Sequence, residues 1–171
     1  VTTRKTQYVL SAALNCGLVL SYIAYSDFSR VRATLQESFT VVTTSASLER
    51  ILAQAKLDKR PVLLDYYASW CVACKEMDIQ TFSDPLISQK LKDFTLIRVD
   101  ISDNNEQTKL LQQRYEVIAP PSLVFIDGIG QVLDNFKVTG FIASDQLGLN
   151  LQAIMTDQLK LRGCDTTTMN C

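Results

Sequence analysis

Hydrophobic and polar positions divide this chain into an uncharged N-terminal block, a polar connector, and a long region of short apolar runs alternating with amphipathic segments. No charge occurs from residue 8 to residue 25, and most of those positions are apolar. As a helix the block would be about 27 Å long, close to the hydrocarbon thickness of a bilayer, about 30 Å. Tyr8, Tyr22 and Tyr25 lie near its ends, where aromatic rings favour the membrane interface. A single transmembrane helix is therefore expected over 8–25, behind a short basic segment, 1–7. A buried globular helix and a cleaved signal peptide are the alternatives, and no small-x-small cleavage pattern follows the apolar run. Arg4 and Lys5 before the block, with Arg30 and Arg32 after it, leave its orientation open. Cys16 reads as a small apolar filler. Residues 26–38 read as a polar linker.

From residue 39 the pattern changes to that of a globular domain. A short strand is expected over 39–42. Thr44 or Ser45 then caps a helix whose apolar positions, Leu48, Ile51, Leu52 and Ala55, fall on one face. The apolar run 61–68 reads as a buried strand, and 75–81, free of Gly and Pro, as a helix. Ser83-Asp84-Pro85 marks a fresh helix start. A strand over 94–99, a helix over 104–114 and a strand over 122–126 follow. Residues 127–130 turn into 131–138, a plausible hairpin. An amphipathic helix over 144–161 ends the domain. The order β-α-β-α-α-β-α-β-β-α implies an α/β domain over 39–161, a central mixed sheet flanked by helices on both faces.

The densest chemistry sits in Trp70-Cys71-Val72-Ala73-Cys74-Lys75, at a strand-to-helix junction. There the first sulfur meets the unpaired N–H groups and dipole of a helix N-terminus, which stabilise a thiolate. A thiolate is the nucleophile of disulfide exchange, and Cys74, one turn on, can close the ring with Cys71. Half of a zinc site is the rival reading. Zinc needs two more ligands, yet the chain has no histidine, and Cys16, Cys164 and Cys171 form no second short-spaced knuckle. Two inert buried thiols are a third reading, awkward for a Cys71 that caps a helix facing solvent.

Composition narrows the partners. Apolar residues are 47% of the chain, enough for a real core, and 17 basic against 18 acidic residues leave no support for nucleic-acid binding. Without histidine, any general base is a carboxylate or a lysine.

The region from about 39 to 161 resembles a thioredoxin-fold domain, and more narrowly the C-terminal periplasmic domain of the DsbD disulfide reductases. The residues that carry this are Leu64-Asp65-Tyr66-Tyr67-Ala68-Ser69-Trp70-Cys71-Val72-Ala73-Cys74-Lys75-Glu76, Thr81-Phe82-Ser83-Asp84-Pro85, Pro121-Ser122, and Val138-Thr139-Gly140-Phe141. The resemblance implies a protein-disulfide reductase that takes electrons from a membrane-embedded donor and passes them to oxidised periplasmic proteins, for cytochrome c assembly or isomerase recycling. It implies an inner-membrane location with the catalytic domain facing the periplasm. No cofactor is expected beyond the redox-active Cys71–Cys74 disulfide, and no metal. Members of that family carry several transmembrane helices and a separate N-terminal periplasmic domain. This sequence is thus either the C-terminal piece of a longer reductase or a self-contained anchored protein. A disulfide-donating oxidase or isomerase, and a redox-inactive binding module, are the alternatives on the same fold.

The resemblance also assigns roles. Cys71 is the attacking, more exposed thiol and Cys74 the resolving one. Asp65, six residues before Cys71, is the acid that such proteins keep beneath the cysteine pair, where it raises a thiol pKa and handles a proton. A core-edge aspartate paired with a lysine is the plainer alternative. Asp78, one turn beyond Cys74, either adds negative charge nearby or is merely an exposed helix acid. Lys75 and Trp70 flank the pair as modulating residues, Trp70 as a flat contact surface or a partly buried core aromatic. Pro121 aligns with the family's cis-proline, and Pro120, Pro121 and Gly140 are expected to bind the substrate chain. Pro120 has no N–H to donate, so docking loses one hydrogen bond. Independently of the resemblance, Cys164 and Cys171 are candidates for a small tail disulfide worth roughly 2.5 kcal/mol in an oxidising compartment, with a second redox pair or a metal contact as the alternative.

Overall fold

The computed structural model describes residues 38–161. The transmembrane helix expected over 8–25, the segment before it, Cys16, the linker up to residue 37, and the tail with Cys164 and Cys171 all lie outside the described residues.

Local signals account for most element starts. β1 (Thr40–Val42) leads into α1 (Ser45–Leu57), whose N-cap is Thr44: its hydroxyl accepts from the Ser47 N–H at 3.3 Å. β2 (Val62–Tyr67) runs into α2 (Val72–Met77). α3 (Pro85–Leu91) starts where Asp84 accepts from the Leu86 and Ile87 N–H groups, with Pro85 in the first turn. β3 (Thr95–Asp100) is followed by α4 (Glu106–Arg114), capped by Asn105. β4 (Ser122–Ile126), β5 (Val138–Thr139) and α5 (Ser144–Leu161) complete the order.

The strands form one five-stranded sheet in the order β1-β3-β2-β4-β5. β3 lies parallel to both β1 and β2, while β4 runs antiparallel to β2 and to β5. The mixed sheet with helices on both faces is the α/β architecture expected from the element order. One face buries Leu64, Tyr66, Ile97, Val99 and Val124 with Leu48 and Ala55 of α1 and Leu111 of α4. The other buries Leu63, Leu96, Leu123 and Phe125 with Met77, Ile87, Leu147, Leu151 and Ile154. The alternation that separates the two sets is the period-2 pattern of each strand.

Two elements differ from expectation. The helix expected over 75–81 begins earlier, at Val72, and leaves α geometry at Asp78, where a π-helical turn spans Asp78–Phe82. The wider turn lets Thr81 and Phe82 both point inward: Thr81 donates its hydroxyl to the Ile142 carbonyl, and Phe82 stacks edge-on with Phe39 at 5.4 Å. The hairpin expected over 127–138 is also less regular. Beyond a bridge from Ile126 to Val132 the chain makes a 3₁₀ turn, Asp134–Phe136, before the two-residue β5.

Candidate active site

The C-terminal end of β2 gathers the functional side chains. After Tyr67 the chain turns, the Cys71 N–H donating to the Ala68 carbonyl at 3.0 Å, and Cys71 becomes the N-cap of α2. Its sulfur accepts from the Cys74 N–H at 3.1 Å and is bonded to the Cys74 sulfur. The first turn of α2 therefore points the Cys74 N–H at the Cys71 sulfur, an arrangement that lowers the cost of a thiolate there. Both residues are buried, Cys71 6% and Cys74 2% exposed, so Cys71 is the more exposed only by a little. That differs from a cap standing open to solvent: both sulfurs belong to the apolar cluster under α1 and α4.

The strand positions that alternate with Leu64, Tyr66, Ile97 and Val99 hold a buried ion cluster, on the face that α2 covers with Met77. Asp65 and Arg98 are direct partners in the β2–β3 register. Arg98 donates from Nε to Asp65 Oδ2 at 2.8 Å, and its Nη2 reaches the same oxygen at 2.7 Å. The guanidinium also holds Asp78, Nη2 to Oδ1 at 2.6 Å and Nη1 to Oδ2 at 3.3 Å. The rings of Tyr67 and Phe39 lie 4.6 and 4.9 Å from its Cζ. Asp65 is 1% exposed, and its Oδ1 has no hydrogen-bond partner among the described residues. Burial raises the Asp65 pKa from 3.8 to about 6, against the attraction of Arg98 and with a smaller push from Asp78. Burial works against the Arg98 charge too, but the two carboxylates overcome it and hold its pKa above the ordinary value.

Asp65 is thus paired with an arginine rather than a lysine, and Asp78 is bound to that arginine rather than standing free on an exposed face. The two acids bracket the cysteine motif, one six residues before Cys71 and the other four after Cys74, and Arg98 ties them together. Arg98 was not among the expected site residues. Its signal was there: a charge two positions after Leu96 in β3, on the same inward face.

The other expected residues surround the same end of the sheet. Trp70 is 59% exposed, so it is a surface aromatic and not a core one. Lys75 is exposed on α2. Tyr66 pairs in register with Ser122, which brings the preceding Pro121 alongside the end of β2. The Pro120–Pro121 bond is cis. The Pro121 carbonyl accepts from the Gly140 N–H at 2.8 Å, and Gly140 has φ +91°, a conformation that favours glycine. Pro120, Pro121 and Gly140 therefore form one loop cluster beside the strand that leads to the cysteines.

This geometry agrees with what known proteins show. A family model described as thioredoxin-like matches residues 43–128. The chain belongs to the thioredoxin-like family. Among curated members, it is 43% identical over 134 residues to the thiol:disulfide interchange protein DsbD of Salmonella typhi, and 37% identical over 130 residues to that of Vibrio vulnificus. Those alignments cover 78% and 76% of this chain but only 23% and 22% of the relatives, so the chain spans less than a quarter of their length. The crystal structure of the oxidised C-terminal domain of Neisseria meningitidis DsbD superposes with a TM-score of 0.59 at 24% identity, covering 67% of this chain and 99% of that one. A poplar thioredoxin h superposes with a TM-score of 0.55 at 22% identity. Both structural likenesses speak for the thioredoxin-like fold.

Proposed function

We propose that this thioredoxin-like domain reduces disulfides of partner proteins by dithiol exchange, and that it does so in the periplasm, tethered to the inner membrane and re-reduced by a membrane-embedded donor. The observation that carries the exchange chemistry is Cys71 as N-cap of α2, bonded to Cys74. The likeness to DsbD proteins supports the direction of electron flow and the setting. The donor, the location and the anchor over 8–25 rest on that likeness and on the sequence.

In the reduced domain, the Cys71 thiolate attacks one sulfur of a partner disulfide. The partner's S–S bond breaks, a mixed disulfide forms, and the departing partner sulfur takes a proton. Cys74 then loses its proton and attacks the Cys71 sulfur. The partner leaves as a dithiol, two electrons richer, and the Cys71–Cys74 bond re-forms. Asp65 is proposed as the group that handles the Cys74 proton, being buried, near the motif in sequence and able to exchange a proton near neutral pH. Asp78 and Arg98 set the charge around it.

Cys71→Ser is expected to abolish reduction of insulin disulfides by dithiothreitol, whereas Cys74→Ser accumulates a mixed disulfide visible on a non-reducing gel. Substantial turnover by Cys71→Ser would defeat the assignment. The equilibrium of the pair with glutathione fixes the direction: a potential near thioredoxin's, about −270 mV, fits a reductase, and one near DsbA's, about −120 mV, fits a disulfide donor instead.

A further inference from the structure

Trp70 presents a puzzle on its own terms. It is more than half exposed, yet its ring is held: indole Nε1–H donates to the Ser102 carbonyl at 3.1 Å. The residue before it is held by the same serine, the Ser69 N–H donating to Ser102 Oγ at 2.8 Å. Ser102 is oriented in turn by Asp100, whose Oδ1 accepts from the Ser102 N–H at 2.9 Å and from its hydroxyl. Four hydrogen bonds thus converge on one serine in the loop after β3, 32 residues from the tryptophan it holds. None of them touches a sulfur, and none of Ser69, Trp70, Asp100 and Ser102 belongs to either core cluster.

An exposed aromatic is a large contact surface, and holding its χ angles in advance removes an ordering cost that a partner would otherwise meet. Val72, 69% exposed on the other side of Cys71, continues the apolar surface. We propose that Ser102, oriented by Asp100, is a positioning residue for partner recognition: it locks Ser69 and Trp70 so that a protein bearing a disulfide meets a rigid aromatic wall immediately before Cys71. This rests on the disulfide-exchange reading above. The lock acts on docking of a folded or extended protein chain, whereas a small disulfide reaches the sulfur without leaning on the indole.

Trp70 is the single tryptophan of the chain, so its fluorescence reports the lock directly. In Ser102→Ala the backbone carbonyl remains, but the Ser69 tie and the Asp100 contact to the hydroxyl are lost. Steady-state anisotropy of Trp70 should fall and acrylamide quenching should rise. The KM for insulin reduction should rise about fivefold, the scale of one lost hydrogen bond, with kcat and the rate on 5,5′-dithiobis(2-nitrobenzoate) changed less than about twofold. Ser102→Thr, which keeps the hydroxyl, should restore both fluorescence and KM. Asp100→Ala, which leaves Ser102 intact but unoriented, should shift both in the same direction by less, and stands in if Ser102→Ala fails to fold. Unchanged anisotropy and KM in the variants overturn the proposal, as does an equal loss of rate on insulin and on the small disulfide. A wild-type domain inactive on both disulfides would instead overturn the exchange reading, and the recognition role with it.

Discussion

The two faces of the sheet are built from the same alternating strands but carry different contents. Under α1 and α4 the central positions Leu64, Tyr66, Ile97, Val99 and Val124 are all 1% exposed or less, and the Tyr66 hydroxyl is satisfied by the Leu111 carbonyl at 2.8 Å. Under α2, α3 and α5, the equivalent alternation brings Leu63, Leu96 and Leu123 inward, but also Asp65 and Arg98. The first face is stabilised by apolar area removed from water. The second pays a desolvation penalty for three charges, which an ion pair in a poorly polarisable interior recovers only in part. Stability alone therefore does not account for the cluster. Its acids flank the cysteine motif in sequence, as the proton-handling role proposed for Asp65 requires.

That contrast can be broken most forcefully at Arg98. Arg98→Met should leave Asp65 buried without its cation and destabilise the domain by about 3–5 kcal/mol at pH 8. The loss should shrink at pH 5, where Asp65 takes a proton; urea unfolding at the two pH values checks this, and a loss independent of pH would mean that Arg98 matters only for packing. On the apolar face, Leu64→Ala should cost about 3 kcal/mol through lost burial and a cavity, equally at both pH values.

The next test isolates Asp65. Its folded pKa, about 6, lies above its unfolded value, so the folded state binds this proton more tightly. The contribution is fully present below about pH 4 and is lost as pH rises through about 6, by on the order of 3 kcal/mol at most. Unfolding free energies of wild type and Asp65→Asn, measured from pH 4 to 7.5, should diverge across that window. Parallel curves would place the Asp65 pKa at an ordinary value. By charge repulsion, Asp65→Asn should also ease thiolate formation at Cys71, read as thiolate absorbance against pH in the reduced domain. The smallest expected effect is at Asp78. Asp78→Asn removes a negative charge that pushes the Asp65 pKa up, so the Asp65 carboxyl resonance should titrate at lower pH, with stability lowered by on the order of 1.5 kcal/mol as a charged hydrogen bond to Arg98 weakens. An unmoved titration would uncouple the two acids.

Much of this was readable from short stretches of chain. The cap at Thr44, the Asp84-Pro85 helix start and the Cys71–Cys74 spacing are each decided within four residues, because a cap or a turn is made by neighbours. The strands were legible as short apolar runs, and the mixed sheet with helices on both faces from the run of elements, whereas the strand order β1-β3-β2-β4-β5 was not. Less was legible where geometry depends on distant contacts. Asp78 looked like a helix acid with two equal readings until Arg98, 20 residues on, was seen to hold it. The π turn at Asp78–Phe82 follows from where Phe39, Ile142 and Arg98 sit, none of which is local.

Sequence alone determined the fold class, the redox motif and its place at a helix start, because hydrophobic period and residue spacing are one-dimensional quantities. Only the tertiary structure decided the partners: that Asp65 meets Arg98, that Arg98 also holds Asp78, and that Ser102 holds Trp70. Strand alternation says which face a side chain takes but not what stands opposite it. That depends on the register of β3 against β2, whose paired residues Asp65 and Arg98 are 33 apart in the chain, and register is set by the packing of whole cores rather than by any one segment.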